Sequence, residues 1–266
     1  MAKPALKNIT IVWHLGFQKT GTTSFQSLMR RNEEVLSSYC TVFPKQHWTE
    51  DLLVAGTSYW QHPGRATKRA LKAAAQDIRR DVQNQGQTFG VVSDENIIGL
   101  ELYDNSGSVF DMAAAVMPVL EDAIKPAKSV FVFYTRDWDA LMKSAYNQAV
   151  KQMRNRYDFD EFIKRASFKR AWGPHRKRLA GAVNGEVVFR DLTADGEAGW
   201  PMGGYILTRA GVPPKVLTQL EPPIGTNESL PPSALEFMLE MNRSHIHDYG
   251  LEIVRKKVLK HIKAFR

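Results

Sequence analysis

Two kinds of hydrophobic pattern alternate along this chain. Short runs of consecutive apolar residues, many of them β-branched or aromatic, are typical of strands that are buried on both faces of a parallel sheet. Such runs predict five strands, over residues 9–13, 39–43, 88–92, 129–135 and 186–189. The spacing between these runs leaves room for a helical connection after each strand.

Between the runs, apolar residues recur three or four positions apart, which is the spacing of one helix face. A helix is predicted to begin near Thr22, and another after Asp137, whose side chain can cap it. Residues 46–65 lack a clear period and are rich in Trp, His and Gly, which indicates an irregular surface loop or the wall of a substrate cleft. Further helices are predicted over residues 66–84, 109–124, 157–182 (two helices, broken near Gly173-Pro174), 200–210 and 232–266 (one or two helices).

The alternation of strands and helices indicates an α/β fold in which helices cover both faces of the sheet. A chain of 266 residues has the length of one such domain with an elaborated edge. We therefore predict a single P-loop-like three-layer domain over residues 1–266, with a central mostly parallel sheet flanked by helices and a helical C-terminal extension. In this fold, ligands bind at the carboxyl ends of the strands.

The segment between the first strand and the first helix, residues 14–24, contains Gly16 and Gly21. A tight loop that leads into a helix directs several backbone N–H groups to one point, and the helix dipole adds positive potential there. A phosphate group suits this arrangement. The glycine spacing matches the ATP-binding sequence G-x-x-x-x-G-K-[ST], but Thr22 replaces its lysine, and the lysine of this loop is Lys19. We therefore expect a nucleotide with a short 5′ chain.

The same segment resembles the 5′-phosphosulfate loop of sulfotransferases, enzymes that use 3′-phosphoadenosine-5′-phosphosulfate (PAPS). His14, Gly16 and Gln26 make it similar to the bacterial carbohydrate-type members of that family. The resemblance implies that PAPS is the donor co-substrate and that Lys19 stabilises the leaving oxygen. It also implies a nucleotide-binding set in this loop: Lys19, Thr20, Gly21, Thr22, Thr23 and Ser24.

A second signature follows the fourth predicted strand. Arg136 ends that strand, and Ser144 lies eight residues later on the next helix. An arginine at a strand end can bind a phosphate through two parallel donors. The pair resembles the 3′-phosphate site of the same family, in which an arginine is followed by a serine at this spacing. Trp138 departs from the family, which often has a proline there, and an arginine–aspartate pair at a helix start is the structural alternative.

A carboxylate at the end of a buried strand can accept a proton from a substrate hydroxyl. Glu95 and Asp94 follow the third predicted strand, and some carbohydrate sulfotransferases use a glutamate as their base. We predict Glu95 as the catalytic base, with Asp94 as the second choice. His14 and His47 are further candidates, although His14 is better explained as a core histidine, and the two carboxylates also fit a helix cap.

Composition adds limits to the range of partners. A formal net charge of +8 and a pI of about 9.5 favour anionic partners, although surface lysines kept for solubility explain much of this charge equally well.

Cys40 is the only cysteine, which excludes an intrachain disulfide and a cysteine-based zinc site and is typical of a cytoplasmic protein. No run approaches the roughly 20 apolar residues of a membrane span. Residues 1–7 are too short for a secretory signal. Golgi members of the family that this chain resembles carry an N-terminal membrane anchor, so the resemblance implies a bacterial enzyme of the cytoplasm.

These patterns together predict a PAPS-dependent sulfotransferase that transfers a sulfuryl group to an acceptor hydroxyl, on a carbohydrate, a glycolipid or a small metabolite. No metal is expected, because lysine and arginine neutralise the donor. No nucleic-acid partner is expected either, whereas the lysine-rich C-terminal helix is compatible with peripheral membrane contact. The segment 227–229 also resembles a recurrent family segment, without an assigned role.

Two alternatives stay open. A small-molecule kinase would share the fold and the loop, but it should carry a lysine at position 22 and a carboxylate that binds magnesium. A non-catalytic protein that binds nucleic acid or a membrane surface would explain the basic charge. It would not require Arg136 and Ser144 at a fixed spacing.

Overall fold

The structure is a computed structural model of the chain and describes residues 3–99, 109–165, 171–224 and 229–265. The chain forms two compact units, each made of two segments. The first unit contains Met1–Arg136 and Arg170–Thr226, and the second contains Asp137–Lys169 and Asn227–Arg266.

The first unit is built on a sheet of five parallel strands. The strands are β1 (Thr10–His14), β2 (Thr41–Pro44), β3 (Phe89–Ser93), β4 (Lys128–Thr135) and β5 (Glu186–Asp191), in the order β2-β3-β1-β4-β5. All five predicted strands are confirmed to within a few residues, as is the α/β class with a parallel central sheet.

Helices connect the strands and form both units. In chain order they are α1 (Thr22–Arg31), α2 (Glu33–Leu36), α3 (Glu50–Gln61), α4 (Arg65–Asn84), α5 (Val109–Ile124), α6 (Trp138–Gln152), α7 (Phe159–Arg165), α8 (Trp172–Ala180), α9 (Ala194–Glu197), α10 (Gly204–Arg209), α11 (Pro214–Leu217), α12 (Pro232–Arg243) and α13 (Asp248–Lys260). Short 3₁₀ helices cover Leu6–Asn8, Glu95–Ile98 and Ile262–Phe265.

The prediction of a loop over residues 46–65 is wrong, because α3 occupies most of that range. The helix buries Leu52 and Ala55, and its Gly56 lies against Ile97, where an added Cβ would be 3.0 Å from the Ile97 carbonyl oxygen. Its inner face is therefore made of few and small side chains, and a hydrophobic period is hard to see. Two other boundaries differ: Gly173-Pro174 lies in the first turn of α8, and the helix predicted over 200–210 begins only at Gly204.

The core lies on both faces of β1, where Ile11, Val12 and Trp13 are fully buried. Trp13 stacks on Phe131 of β4, with ring centroids 6.3 Å apart. α1 packs on this sheet through residues spaced three and four apart, Phe25, Leu28 and Met29, which are also fully buried. The start of α1 is thereby fixed relative to the central strand.

The strand order β2-β3-β1-β4-β5 contains a topological switch point beside β1. After β3 the chain crosses to the other side of β1 to form β4, so the direction of winding reverses beside the central strand. In open α/β sheets, the loops at the carboxyl ends separate at such a point and leave room for a ligand. The loops that follow β1 and β4 border this position.

The second unit is helical and consists of α6, α7, α12 and α13. The side-chain amide of Asn147 on α6 exchanges two hydrogen bonds of 2.9 Å with the backbone of Leu230. Tyr146 packs against Phe159 and Phe162, with ring centroids 5.3 and 5.4 Å away. α13 buries Leu251 and Val258 and exposes its lysines, Lys256, Lys257 and Lys260. Among the described residues, no helix combines the length and the apolar character needed to span a membrane.

Candidate anion-binding site

The carboxyl ends of β3, β1 and β4 lie side by side, because these strands are neighbours in the sheet. His14 and Ser93 are paired in the register of β1 and β3, and Arg136 follows β4 directly. The three segments that the sequence predicts to carry chemistry therefore meet at one edge. Residues 14–24, which join β1 to α1, are called the anion loop below.

The backbone of the anion loop is bent by three residues with positive φ: Gly16 at 39°, Lys19 at 66° and Gly21 at 83°. Glycine adopts such angles easily, whereas a lysine seldom does. Gly21 is the N-cap of α1, and it supplies no side chain to bind the first N–H groups of that helix. These groups have no intrahelical acceptor, so the N-terminus of α1 is open to an anion.

Packing beneath the loop holds it in this shape. The Thr20 hydroxyl donates to the Phe17 carbonyl oxygen, and Thr20 is fully buried. The Phe17 ring packs against Phe133 and Trp172, with centroids 5.1 and 5.4 Å apart. The Thr20 hydroxyl is therefore occupied by a hydrogen bond within the loop, and Thr20 can contact a ligand only through its backbone N–H.

Lys19 and Arg136 place two positive charges at the loop. Arg136 Nη1 donates to the Lys19 carbonyl oxygen at 3.2 Å, and the Arg136 carbonyl oxygen accepts from Trp172 Nε1 at 2.8 Å. Burial lowers the pKa of the Lys19 ammonium, and the neighbouring Arg136 guanidinium lowers it further. Because each charge disfavours the other, an anion that contacts both relieves their repulsion.

Two polar atoms at the loop are buried and have no hydrogen-bond partner among the residues described. They are His14 Nε2 and Thr22 Oγ1, on side chains that are 0% and 4% exposed. A Cβ added to Gly16 would lie 3.1 Å from Thr22 Oγ1 and 3.2 Å from His14 Nε2. Both atoms therefore lie close to Gly16, where a side chain would crowd them. Buried polar groups are nearly always satisfied, so these two unpartnered atoms are candidates to contact a ligand.

The segment after β5 closes the other side of the loop. A Cβ on Gly21 would lie 2.9 Å from the sulfur of Met202. Met202 is held in place by Asp195, a buried carboxylate whose Oδ2 accepts from the Tyr134 hydroxyl and from Gly203 N. Asp195 thus fixes one wall of the site.

The predicted carboxylates, Asp94 and Glu95, form what we call the acidic corner. Asp94 Oδ2 accepts from Thr49 Oγ1 at 2.7 Å and Asp94 Oδ1 accepts from Asn96 N at 3.0 Å, which caps the 3₁₀ helix Glu95–Ile98. Burial raises the pKa of Asp94, and the bonds from Thr49 and Asn96 oppose this. With no exposed surface, Asp94 is placed to cap a helix and not to meet a substrate.

Glu95 has partners on both carboxylate oxygens. Its Oε2 accepts from Gln26 Nε2 at 3.0 Å, and its Oε1 forms an ion pair of 2.8 Å with Lys45. The side chain keeps 11% of its surface exposed, so it borders solvent at this edge of the sheet. Glu95 is therefore the carboxylate of the corner that a ligand in solvent can reach.

The other predicted residues are placed as follows. Thr23 is exposed and Ser24 is half-buried, both in the first turn of α1. His47 is exposed and lies on Trp48, with centroids 3.6 Å apart, three residues after β2. Ser144 is half-buried on α6, in the second unit. Of the segment 227–229, residues 227 and 228 lie outside the described residues.

Two contributors to the site, Lys45 and Met202, were missed from the sequence, and Ser93 lay in a predicted site segment (residues 93–96) without an assigned role. Lys45 directly follows β2, and its position at a strand end was a signal that went unused. Ser93, the last residue of β3, holds His14 by a 2.8 Å contact between Ser93 Oγ and His14 Nδ1. Met202 gave no signal, because its place depends on how the segment after β5 folds back.

Comparisons of the chain with protein-family models, with curated proteins and with solved structures find no match.

Proposed function

We propose that this protein is a PAPS-dependent sulfotransferase that transfers a sulfuryl group to the hydroxyl of a carbohydrate or glycolipid acceptor. One observation supports it above all: the start of α1, without a side-chain cap, lies beside two cations, Lys19 and Arg136, and beside two buried polar atoms that have no partner in the described part of the chain. Such a set suits a ligand with several anionic oxygens. The second support is a resemblance to sulfotransferases, which lies in the segment 19–24 and in the spacing between Arg136 and Ser144.

The residues at the loop fit a nucleotide that carries phosphate and sulfate groups at its 5′ end. The backbone of the first turn of α1, with Thr22 and Thr23, would hold the 5′-phosphate, and Arg136 would hold the 3′-phosphate. The donor supplies an activated sulfuryl group whose transfer breaks the bond to the bridging oxygen of the 5′-phosphate. Lys19 would neutralise the charge that builds up on that oxygen.

Glu95 would accept the proton from the acceptor hydroxyl. It is the carboxylate of the acidic corner with exposed surface, and Gln26 and Lys45 hold it in one orientation. Its two partners leave one free lone-pair direction on each oxygen, because an ionised carboxylate accepts about four hydrogen bonds. His14 is a poor base in comparison, since it is fully buried.

The chain itself would supply the charge compensation that a metal supplies in many phosphoryl-transfer enzymes. We extend the proposal to a bacterial enzyme of the cytoplasm, because its single cysteine is typical of that compartment. A small-molecule kinase is the rival to be tested, since both would use the loop at the start of α1.

A thermal-shift comparison tests the proposal. We expect 3′-phosphoadenosine-5′-phosphate to stabilise the protein without added metal, by about 2.7 kcal/mol at 100 times its dissociation constant. Adenosine 5′-phosphate, which lacks the 3′-phosphate, is the matched ligand and should stabilise it less. Equal or stronger stabilisation by Mg-ATP would contradict the proposal and favour the kinase.

A further inference from the structure

His14 is a buried histidine whose two ring nitrogens have different surroundings. Nδ1 lies 2.8 Å from Ser93 Oγ, and the ring packs edge-on against Phe25 and Tyr134, with centroids 5.4 and 5.7 Å away. The ring is therefore held on three sides. Nε2 lies beside Gly16, close to Thr22 Oγ1, and has no partner among the described residues.

The hydroxyl hydrogen of Ser93 decides which nitrogen of His14 is protonated. Ser93 is fully buried, and His14 Nδ1 is the partner that its hydroxyl oxygen has in the described part of the chain. If Nδ1 carried the proton, the Ser93 hydroxyl hydrogen would be left without an acceptor. If Ser93 donates to Nδ1, that hydrogen is satisfied and the proton of the neutral ring lies on Nε2.

We propose that Ser93 fixes His14 as the neutral Nε2–H tautomer, and that His14 Nε2–H and the Thr22 hydroxyl donate to one phosphate oxygen of the anion bound in the loop. The position is built by two unpartnered side chains that are more than nine-tenths buried, at the N-terminus of a ten-residue helix. The inference rests on phosphate binding by the loop, which is one part of the proposed function. It adds a ligand-binding role for His14, which sequence reasoning had weighed only as a core residue or a base.

The burial of His14 favours a neutral imidazole that donates from Nε2 over a charged imidazolium. It lowers the pKa of His14 to about 4, and the Glu95 carboxylate opposes this only in part. At neutral pH the ring therefore has one N–H, and its direction is set by Ser93. A neutral donor can serve a phosphate oxygen without adding to the repulsion between Lys19 and Arg136.

The first experiment reads the tautomer directly in the wild-type protein. Two-bond ¹H–¹⁵N spectra of histidine-labelled protein, recorded free and with 3′-phosphoadenosine-5′-phosphate, should show His14 protonated on Nε2 in both states. The Nε2 and its proton should shift on binding, while exposed His62 serves as an internal control that does not move. An Nδ1–H tautomer in the free protein would overturn the inference.

Two substitutions separate the two nitrogens. His14→Asn keeps an amide near the Nδ1 position and loses the donor at the Nε2 position, whereas His14→Gln can place an amide donor there. We expect His14→Asn to weaken nucleotide binding by about tenfold or more, the loss of one hydrogen bond to a charged group. His14→Gln should restore most of the affinity. Equal affinity of His14→Asn and wild type, measured by calorimetry on folded protein, would contradict the role of Nε2.

The ligands distinguish this inference from the proposed function. If 3′-phosphoadenosine-5′-phosphate binds but the His14 signals stay in place, the inference is wrong and the proposed function stands. If ATP binds and moves the His14 signals while 3′-phosphoadenosine-5′-phosphate does not bind, the inference stands and the proposed function is wrong. If neither nucleotide nor inorganic phosphate binds, both are wrong.

Discussion

The anion loop and the acidic corner lie at neighbouring strand ends, and their polar atoms are used in opposite ways. In the loop, His14 Nε2 and Thr22 Oγ1 are buried and have no partner among the described residues. In the corner, each carboxylate oxygen of Asp94 and Glu95 has a hydrogen bond or an ion pair. Both regions are rich in polar groups, and both were predicted from the sequence to carry chemistry.

The difference teaches how to separate structural polar groups from functional ones. An unpaired buried donor or acceptor destabilises the folded protein by about 1–3 kcal/mol, so a chain keeps it where a ligand supplies the partner. Asp94, by contrast, has its partners within the chain and is explained without a ligand. The two unpartnered atoms of the loop are therefore candidates to contact a ligand, whereas Asp94 supports the site.

The largest expected effects are on turnover, for one variant in the anion loop and one in the acidic corner. Lys19→Ala should slow sulfuryl transfer by about 10²–10³-fold, as loss of a transition-state donor does, and should also weaken donor binding. Glu95→Gln should slow transfer by about 10²–10⁴-fold, as loss of a general base does, and should leave affinity for the nucleotide product almost unchanged. Donor hydrolysis without acceptor measures the Lys19 effect alone. A fully active Glu95→Gln protein would remove Glu95 as the base and leave His47 as the exposed candidate.

A second comparison concerns stability in the absence of ligand. Asp94→Ala removes a helix cap and the acceptor for a buried hydroxyl, so it should lower the free energy of unfolding by about 2–3 kcal/mol. Thr22→Val is the matched variant: it removes a hydroxyl without a partner and keeps the β-branched shape. It should raise the free energy of unfolding by about 1–3 kcal/mol, because it removes a buried hydroxyl that has no partner among the described residues, while its affinity for nucleotide falls. Urea unfolding measures both, and a large loss in Thr22→Val would mean that the hydroxyl has a structural partner.

The smallest expected effect is the dependence of stability on pH at His14. Its pKa is about 4 in the folded protein and 6.5 ordinarily, so the unfolded chain binds the proton more readily. The contribution of His14 to the free energy of unfolding is complete above pH 6.5 and is lost as the pH falls towards 4. The loss amounts to about 2 kcal/mol at pH 5. His14→Gln should remove this part of the pH dependence. Identical pH profiles for the two proteins would show that His14 titrates normally.

Much of the fold was predictable because its signals are local. Each strand of the sheet is a continuous apolar run, and α4 has a clear apolar stripe. The predicted bounds of β1 and α4 therefore agree with the structure to within one or two residues. The position of the anion loop follows from the strand before it and the helix after it. These features need no knowledge of distant residues.

What the sequence could not predict depends on strand order. Chain order alone would put β2 beside β1, but β3 lies there, and this pairs His14 with Ser93. The ion pair of Lys45 with Glu95 likewise joins residues 50 positions apart. Sequence reasoning therefore identified Glu95 as a carboxylate at a strand end without its partners. It weighed His14 as a core residue or a base, whereas its orphan Nε2 indicates a ligand.

The wide sequence separation of the site residues has a consequence for folding kinetics. His14 contacts Ser93 across 79 residues, and Arg136 contacts Lys19 across 117. Contacts of such high separation form late, because long loops must close first. A nucleotide bound there can therefore stabilise only a chain whose three central strands are already assembled. It should slow unfolding and leave the rate of folding unchanged.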